Sequence, residues 1–331
     1  MSPRCPSGAG RLCLALSAVA VLTLRPAAAH DPDRSPPNPS GTFREIETKD
    51  LFGFTTGSDI GSEGEKEISA ETTGRFGKRG GTFRAFEHKL EFEFTPTQFM
   101  QFELGLLGTS HRIRNVTDFD DRNRSAFEGL SGEVRYLLVG RGPASPFGLA
   151  LSFEPTVARI DDTTGERLRR VETEFKLSAD TELVPDRVFL AFNALYEPEW
   201  VRPRFEPLER EATLGLSTAV AFRVTPDVTI GTELQYRRKY EGIALSHFEG
   251  EALYAGPTLH VQLTRKAFLS AAWSTQVAGR EAADRRERAD AVMEAIEAGE
   301  DPLSAVPIHH HRLDLKNFER HRAKLKVGFE F

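Results

Sequence analysis

Strict alternation of apolar and charged residues constrains this chain more than any other feature. Over Phe318 to Phe331, Ala323, Leu325, Val327, Phe329 and Phe331 fall on one side, and Arg320, Arg322, Lys324, Lys326 and Glu330 on the other. Successive side chains of a strand point to opposite faces, so this segment is a strand with one oily face and one ionic face. The pattern recurs in Met100, Phe102, Leu104 and Leu106, in Phe147, Leu149, Leu151 and Phe153, and in Val228, Ile230, Leu234 and Tyr236. Candidate strands run over 65–76, 82–94, 98–110, 127–139, 147–159, 168–179, 187–198, 209–224, 227–238, 250–264, 267–278 and 318–331, twelve in all.

The connections alternate in length. Thr95-Pro96-Thr97, 140–146, 180–186, Thr225-Pro226-Asp227 and Arg265-Lys266 are short, and all but the last carry turn-forming Pro, Gly or Asp. The others, 77–81, 111–126, 160–167, 199–208, 239–249 and 279–317, are mostly longer and strongly polar. Within the last of these, Ala289, Val292, Met293 and Ile296 repeat with helical spacing ahead of Gly299 and Pro302, which predicts a helix, either a lid over a mouth or an amphipathic turn resting on a rim.

Nowhere after the N-terminus are there roughly 20 uninterrupted apolar residues, the length a membrane helix needs; even Phe189 to Tyr196 is broken by Asn193. A barrel has no such requirement. Its strands satisfy one another's backbone groups and each needs about 10 alternating residues, so a hydrophobic content of 39% is compatible with bilayer residence. At the start, Arg4 and Arg11 precede the apolar run Leu12 to Leu24 and the small-residue site Ala27-Ala28-Ala29, the pattern of a secretory signal peptide cut before His30. Cys5 and Cys13 both lie inside it, leaving the exported chain without a disulfide or thiolate. Loss of Arg4, Arg11 and Arg25 lowers the net charge from −6 to −9, which argues against duplex nucleic acid as a partner.

A chain that ends on an aromatic residue at the close of such a strand, behind an export signal, resembles the bacterial outer-membrane β-barrel proteins. It looks most like uncharacterised Gram-negative barrels grouped with transporters of small solutes. The resemblance implies an all-β fold: a transmembrane antiparallel up-and-down barrel of about 12 strands, with a helical insertion in the last outer loop. It implies the cell outer membrane as location, the lipid bilayer as surround, and assembly machinery that reads the C-terminal strand through Phe329 and Phe331. It implies a channel for passive passage of small solutes, with no cofactor.

The expected domain order is a signal peptide over 1–29, a flexible periplasmic segment over 30–64 that can enter the lumen in part, and the barrel over 65–331 with a long external loop at 279–317. The stretch Leu51-Phe52-Gly53-Phe54-Thr55-Thr56-Gly57-Ser58-Asp59 stands out in the N-terminal segment without an evident role beyond a glycine-rich entry to the first strand. A lysine or arginine at the bilayer midplane costs roughly 2 to 4 kcal/mol, so charged faces must turn inward. The lumen candidates are Glu91, Glu93, Glu103, Glu133, Arg135, Glu174, Lys176, Glu233, Arg322, Lys324 and Lys326. At the closing seam the bases of the last strand would meet Glu67 and Glu71.

Two other readings compete with a channel. One is a plugged barrel that stiffens the envelope or displays its loops. The other is a lipid-modifying enzyme like the twelve-stranded outer-membrane phospholipases; His88 and His321 face outward, but the first strand offers Ile68, Ala70 and Thr72 there and no serine. His309, His310 and His311 form a weak candidate for zinc or copper, better read as a solvated loop. The barrel reading predicts that the purified protein needs detergent for solubility and migrates differently on gels before and after boiling; a protein soluble without detergent and lacking that shift would contradict it.

Overall fold

The computed structural model describes residues 46–142, 145–205, 207–282, 292–293, 295–299 and 313–331. Twelve strands follow one another: β1 (Lys66–Phe76), β2 (Thr82–Thr97), β3 (Met100–Arg114), β4 (Arg122–Val139), β5 (Phe147–Ile160), β6 (Arg167–Val184), β7 (Val188–Pro203), β8 (Glu209–Arg223), β9 (Val228–Glu241), β10 (His247–Gln262), β11 (Ala267–Glu281) and β12 (His321–Glu330). Each pairs antiparallel with its sequence neighbours, and β12 returns to β1, closing the sheet. The seam runs in continuous register from Glu67 opposite Glu330 to Phe76 opposite His321. Its ends are finished by the Phe331 amide donating to the Lys66 carbonyl and the Arg320 amide donating to the Gly77 carbonyl, both at 2.8 Å. No strand edge is left open, the condition for a sheet to lie in hydrocarbon.

The exterior carries the apolar alternation. Leu104, Leu106, Leu130, Val157, Val171, Phe192, Leu216, Ile230 and Leu325 are all exposed large hydrophobics, which on a water-soluble protein would be an extensive sticky surface. Around a closed barrel they form the lipid-facing band of a transmembrane protein. The strands outrun the expected ranges at the long-loop end: β3 continues to Arg114, β4 begins at Arg122 and β7 runs to Pro203. Above the bilayer a strand no longer needs an oily face, so its hydrogen-bonded extension reads as polar loop in sequence.

The long connection between β11 and β12 contains helical backbone at 292–293 and 295–298. Ala295 is buried, whereas Met293 and Ile296, expected on the packed stripe, are exposed. His309, His310 and His311 lie outside the described residues.

Packing between strands is tight where glycine permits it. A Cβ built on Gly256 in β10 would sit 1.7 Å from the Trp273 carbonyl oxygen of β11, a backbone atom that cannot swing aside. One built on Gly108 in β3 meets nothing nearer than 3.7 Å. Gly256→Ala is therefore expected to destabilise the folded barrel by about 1–3 kcal/mol, as overpacking does, seen as a lower temperature for loss of the compact gel form. Gly108→Ala should leave that temperature unchanged.

Candidate functional site

The inward faces of the first strands set carboxylates directly opposite one another. Glu67 of β1 faces Glu93 of β2, Glu93 faces Glu103 of β3, and Glu103 faces Glu133 of β4. Further round, Glu154 of β5 faces Glu174 of β6, and Glu172 of β6 faces Glu199 of β7, which faces Glu211 of β8. Like charges placed opposite each other are destabilising, and the row holds because cations reach into it. Lys89 Nζ lies 2.6 Å from Glu103, 2.7 Å from Glu154 and 2.8 Å from Glu91. Lys176 pairs with Glu174 at 2.7 Å, and Arg170 with Glu128 at 2.8 Å. Further bases stand on β9, Arg237 and Lys239, and on β12, Arg322, Lys324 and Lys326, with Lys324 bridging the seam to Glu71 at 2.7 Å. At the long-loop mouth Asp162 sits between Arg75 and Arg170, each at 2.7 Å. Burial works against its charge, but the two guanidiniums hold the carboxyl well below the usual carboxylate range.

Residues 46–64 run inside this wall and fill the half of the lumen nearest the short turns. Their backbone is held by side chains of the strands. Glu233 accepts the Phe54 and Thr55 amides at 3.0 and 3.1 Å, Asn193 accepts the Thr56 amide at 2.8 Å and donates to its carbonyl at 2.7 Å, and Gln101 accepts from Gly61 at 3.2 Å. Asp180 takes the Ser58 amide at 2.5 Å and the Thr48 hydroxyl at 2.6 Å, and Arg135 donates to the Gly57 carbonyl. The segment's own charges are matched: Lys49 meets Glu93 at 2.5 Å and Glu67 at 3.8 Å, and Asp50 meets Lys326 at 3.1 Å. In the short turn after β4, Arg141 reaches Asp180 at 2.5 Å and Asp59 at 2.8 Å. Burial opposes the Arg141 charge, yet Asp59, Asp180 and Glu182 raise its pKa above the ordinary guanidinium value. Two apolar contacts add to these, Leu51 and Phe52 packing on Phe189, Ala191, Ala219 and Ala221, and Ile60 on Leu137 and Ala150.

The segment divides the interior into two cavities. One, of about 390 Å³, is lined by the charged walls on the long-loop side and touches Lys49, Asp50, Phe54 and Thr56. The other, of about 440 Å³, lies toward the short turns and touches Ile46, Glu47, Asp50, Asp59 and Ile60. Of the lumen candidates, Glu91, Glu93, Glu103, Glu133, Arg135, Glu174, Lys176, Arg322, Lys324 and Lys326 all border the first cavity. Glu233 lies beneath the segment as its anchor, buried to 2% exposure. Thr48, Lys49, Asp50, Asp180, Asn193 and Arg141 join the site without having been expected there. Thr48, Lys49 and Asp50 lead into the unexplained Leu51 to Asp59 stretch, whose hydroxyls and glycines suit a chain that must hydrogen-bond to a surrounding wall.

The carboxylates of Glu91, Glu93 and Glu103 come within 4.8 Å of one another, but Lys89, Lys326 and Lys49 already serve them as counter-charges. On the outer face His88 lies between two hydroxyls, Nδ1 at 3.0 Å from Thr72 and Nε2 at 3.3 Å from Ser110. The expectation that no serine stands beside His88 is thus corrected: the partner comes from β3, where Ser110 lies opposite Phe86, one outward position along from His88. Acyl transfer also needs donors for the developing oxyanion, and the backbone amides around this trio are committed to the β-ladder. His321 sits apart, its Nδ1 3.0 Å from Thr275 and its ring against Trp273.

No curated protein matches the sequence. Among solved structures, an outer membrane channel from Pseudomonas putida F1 is similar at 11% identity with a TM-score of 0.49, over 83% of this chain and 98% of that one. The NanC porin is similar at 10% identity and a TM-score of 0.42, over 79% and 98%. The β domain of the Bordetella autotransporter BrkA is similar at 11% and 0.46, over 81% and 100%. The model of a family of unknown function, DUF6662, matches residues 44–331, taking in the inner segment together with all twelve strands, and the chain belongs to that family.

Proposed function

We propose that the protein is an outer-membrane channel for small polar or charged solutes, held shut by its own residues 46–61 and conducting when that segment leaves the lumen. The observation that carries this reading is the pair of cavities, each with charged groups in its lining, separated by a single thin segment whose attachments are mostly polar. Water replaces such attachments at a net cost of about 0.5–1.5 kcal/mol for a neutral hydrogen bond and more for charged ones. An apolar core offers no comparable exchange. The walls give a solute a transverse field, acidic along β1–β7 and basic on β9 and β12. In the same reading the barrel is exported, resides in the outer membrane, and is inserted by assembly machinery that engages Phe329 and Phe331, which face outward and are about half exposed.

A barrel sealed for purely structural purposes would carry the same wall but never conduct, and planar-bilayer recording separates the two. The intact protein is expected to show rare, small openings. Weakening the anchors with Asp180→Asn and Glu233→Gln should raise open probability about tenfold or more, since hydrogen bonds to charged groups contribute about 1.5–3 kcal/mol. Deleting residues 46–61 should give steady conductance. Because deletion removes Lys49 and leaves Glu67 and Glu93 facing the pore, that conductance should favour cations, and Lys324→Glu with Lys326→Glu should strengthen the preference. A deletion protein that shows the folded gel mobility yet passes no current overturns the proposal.

A further inference from the structure

The outer wall near the long-loop rim carries arginines on its lipid side. Arg84 of β2 stands directly opposite Arg112 of β3, and Arg169 of β6 directly opposite Arg202 of β7. All four are exposed, and their strand neighbours Phe83, Ala85, Ile113, Arg170 and Val201 are buried on the inner face, which fixes the arginines outward. Two cations in directly opposed cross-strand positions repel, and none of the four has a carboxylate partner among the described residues. This contrasts with the lumen, where Arg75, Arg141 and Arg170 each pair with at least two carboxylates.

Below Arg169 and Arg202 the surface turns apolar at once, and below Arg84 and Arg112 apolar positions continue past the Ser110 and His88 pair. Val157, Val171 and Trp200 form a row across β5, β6 and β7 one outward position beneath Arg169 and Arg202, and Phe86, Leu90 and Phe92 descend from Arg84. A molecule resting on this surface must present anionic groups at the rim and acyl chains beneath. The planar guanidinium fork matches phosphate oxygens two at a time, and one phosphate between two forks turns a repulsive pair into an attractive one.

We infer that the rim arginines Arg84, Arg112, Arg169 and Arg202 form binding sites for a phosphate-bearing lipid of the outer leaflet, one site on β2–β3 and one on β6–β7. This inference is independent of whether the barrel conducts. Its test uses the refolded full-length protein in nanodiscs of zwitterionic phospholipid doped with bisphosphorylated lipid A or with its dephosphorylated form, the retained lipid being counted by native mass spectrometry. The intact protein is expected to retain the bisphosphorylated lipid about tenfold or more over the dephosphorylated one, the ratio that a charge-assisted hydrogen bond supplies. Arg112→Gln with Arg202→Gln, one change in each pair, should remove most of that preference, and Arg112→Lys with Arg202→Lys should restore it only in part, since charge remains but the fork is lost. Millimolar inorganic phosphate should not displace the lipid, because the apolar row contributes only to a lipid. Equal retention of the two lipids by the intact protein, or an unchanged preference in the Gln variant, overturns the inference, as does displacement by free phosphate. If the double variants fail to show the folded gel mobility, the single change Arg112→Gln carries the same comparison, with about half of the preferential retention expected to disappear.

Discussion

Everything in this structure follows from closing the ladder. In hydrocarbon a backbone amide or carbonyl without a partner costs several kcal/mol, so a sheet survives there only if its first and last strands find each other. The continuous pairing of β1 with β12 achieves this, and once it exists each alternating side chain is committed to lipid or to lumen with no third choice. The charges of the wall strands at bilayer depth are thereby driven inward. The number of carboxylates that meet on the inside is a consequence of closure, before any solute is considered.

Closure also explains why the inner segment and the wall behave as one electrostatic unit. The row Glu67, Glu93, Glu103 and Glu133 would be self-repelling if left alone. Lys89 and Lys326 come from the wall, but the cation nearest Glu93 is Lys49, which belongs to the segment. In return Asp50 of the segment rests on Lys326. Each side supplies charge that the other lacks, so the segment is seated by complementarity of sign as well as by hydrogen bonds. An attachment of that kind responds to ionic conditions far more than a hydrophobic plug would.

The sequence made the barrel legible for the reason that made it closed. A period of two is a local property, visible in Met100 to Leu106 or Leu325 to Phe331 without knowledge of any partner strand. The strand ends were less legible because Arg112, Arg114, Arg122 and Arg202 lie above the oily band, where strand and loop have the same composition. The inner segment was legible only as a stretch that could enter the lumen in part, without its path or partners. Thr48, Thr55, Thr56 and Ser58 act through partners as distant in sequence as Asp180, Asn193 and Glu233, and no local pattern announces a coil that takes so many of its hydrogen bonds from a surrounding wall. The same limit hid Ser110 beside His88, because alternation gives the face of a residue but not the register between strands.

Net charge, which is informative for an ordinary globular protein, loses that meaning in a barrel. A chain that is acidic overall is expected to present an acidic surface, and on that basis anionic partners look excluded. Alternation overrides the average: it sends Glu91, Glu93, Glu103 and Glu133 inward, where they are matched or hidden, while Arg84, Arg112, Arg169 and Arg202 stand on the outside at the rim. The outward rim of β2–β3 and of β6–β7 therefore carries opposed cations although the chain is acidic. Arginine serves opposite purposes on the two sides of one wall. Inside, Arg170 is paired with Glu128 and Asp162 and stabilises the fold; one residue away, Arg169 faces outward opposite Arg202, and its guanidinium meets no carboxylate among the described residues.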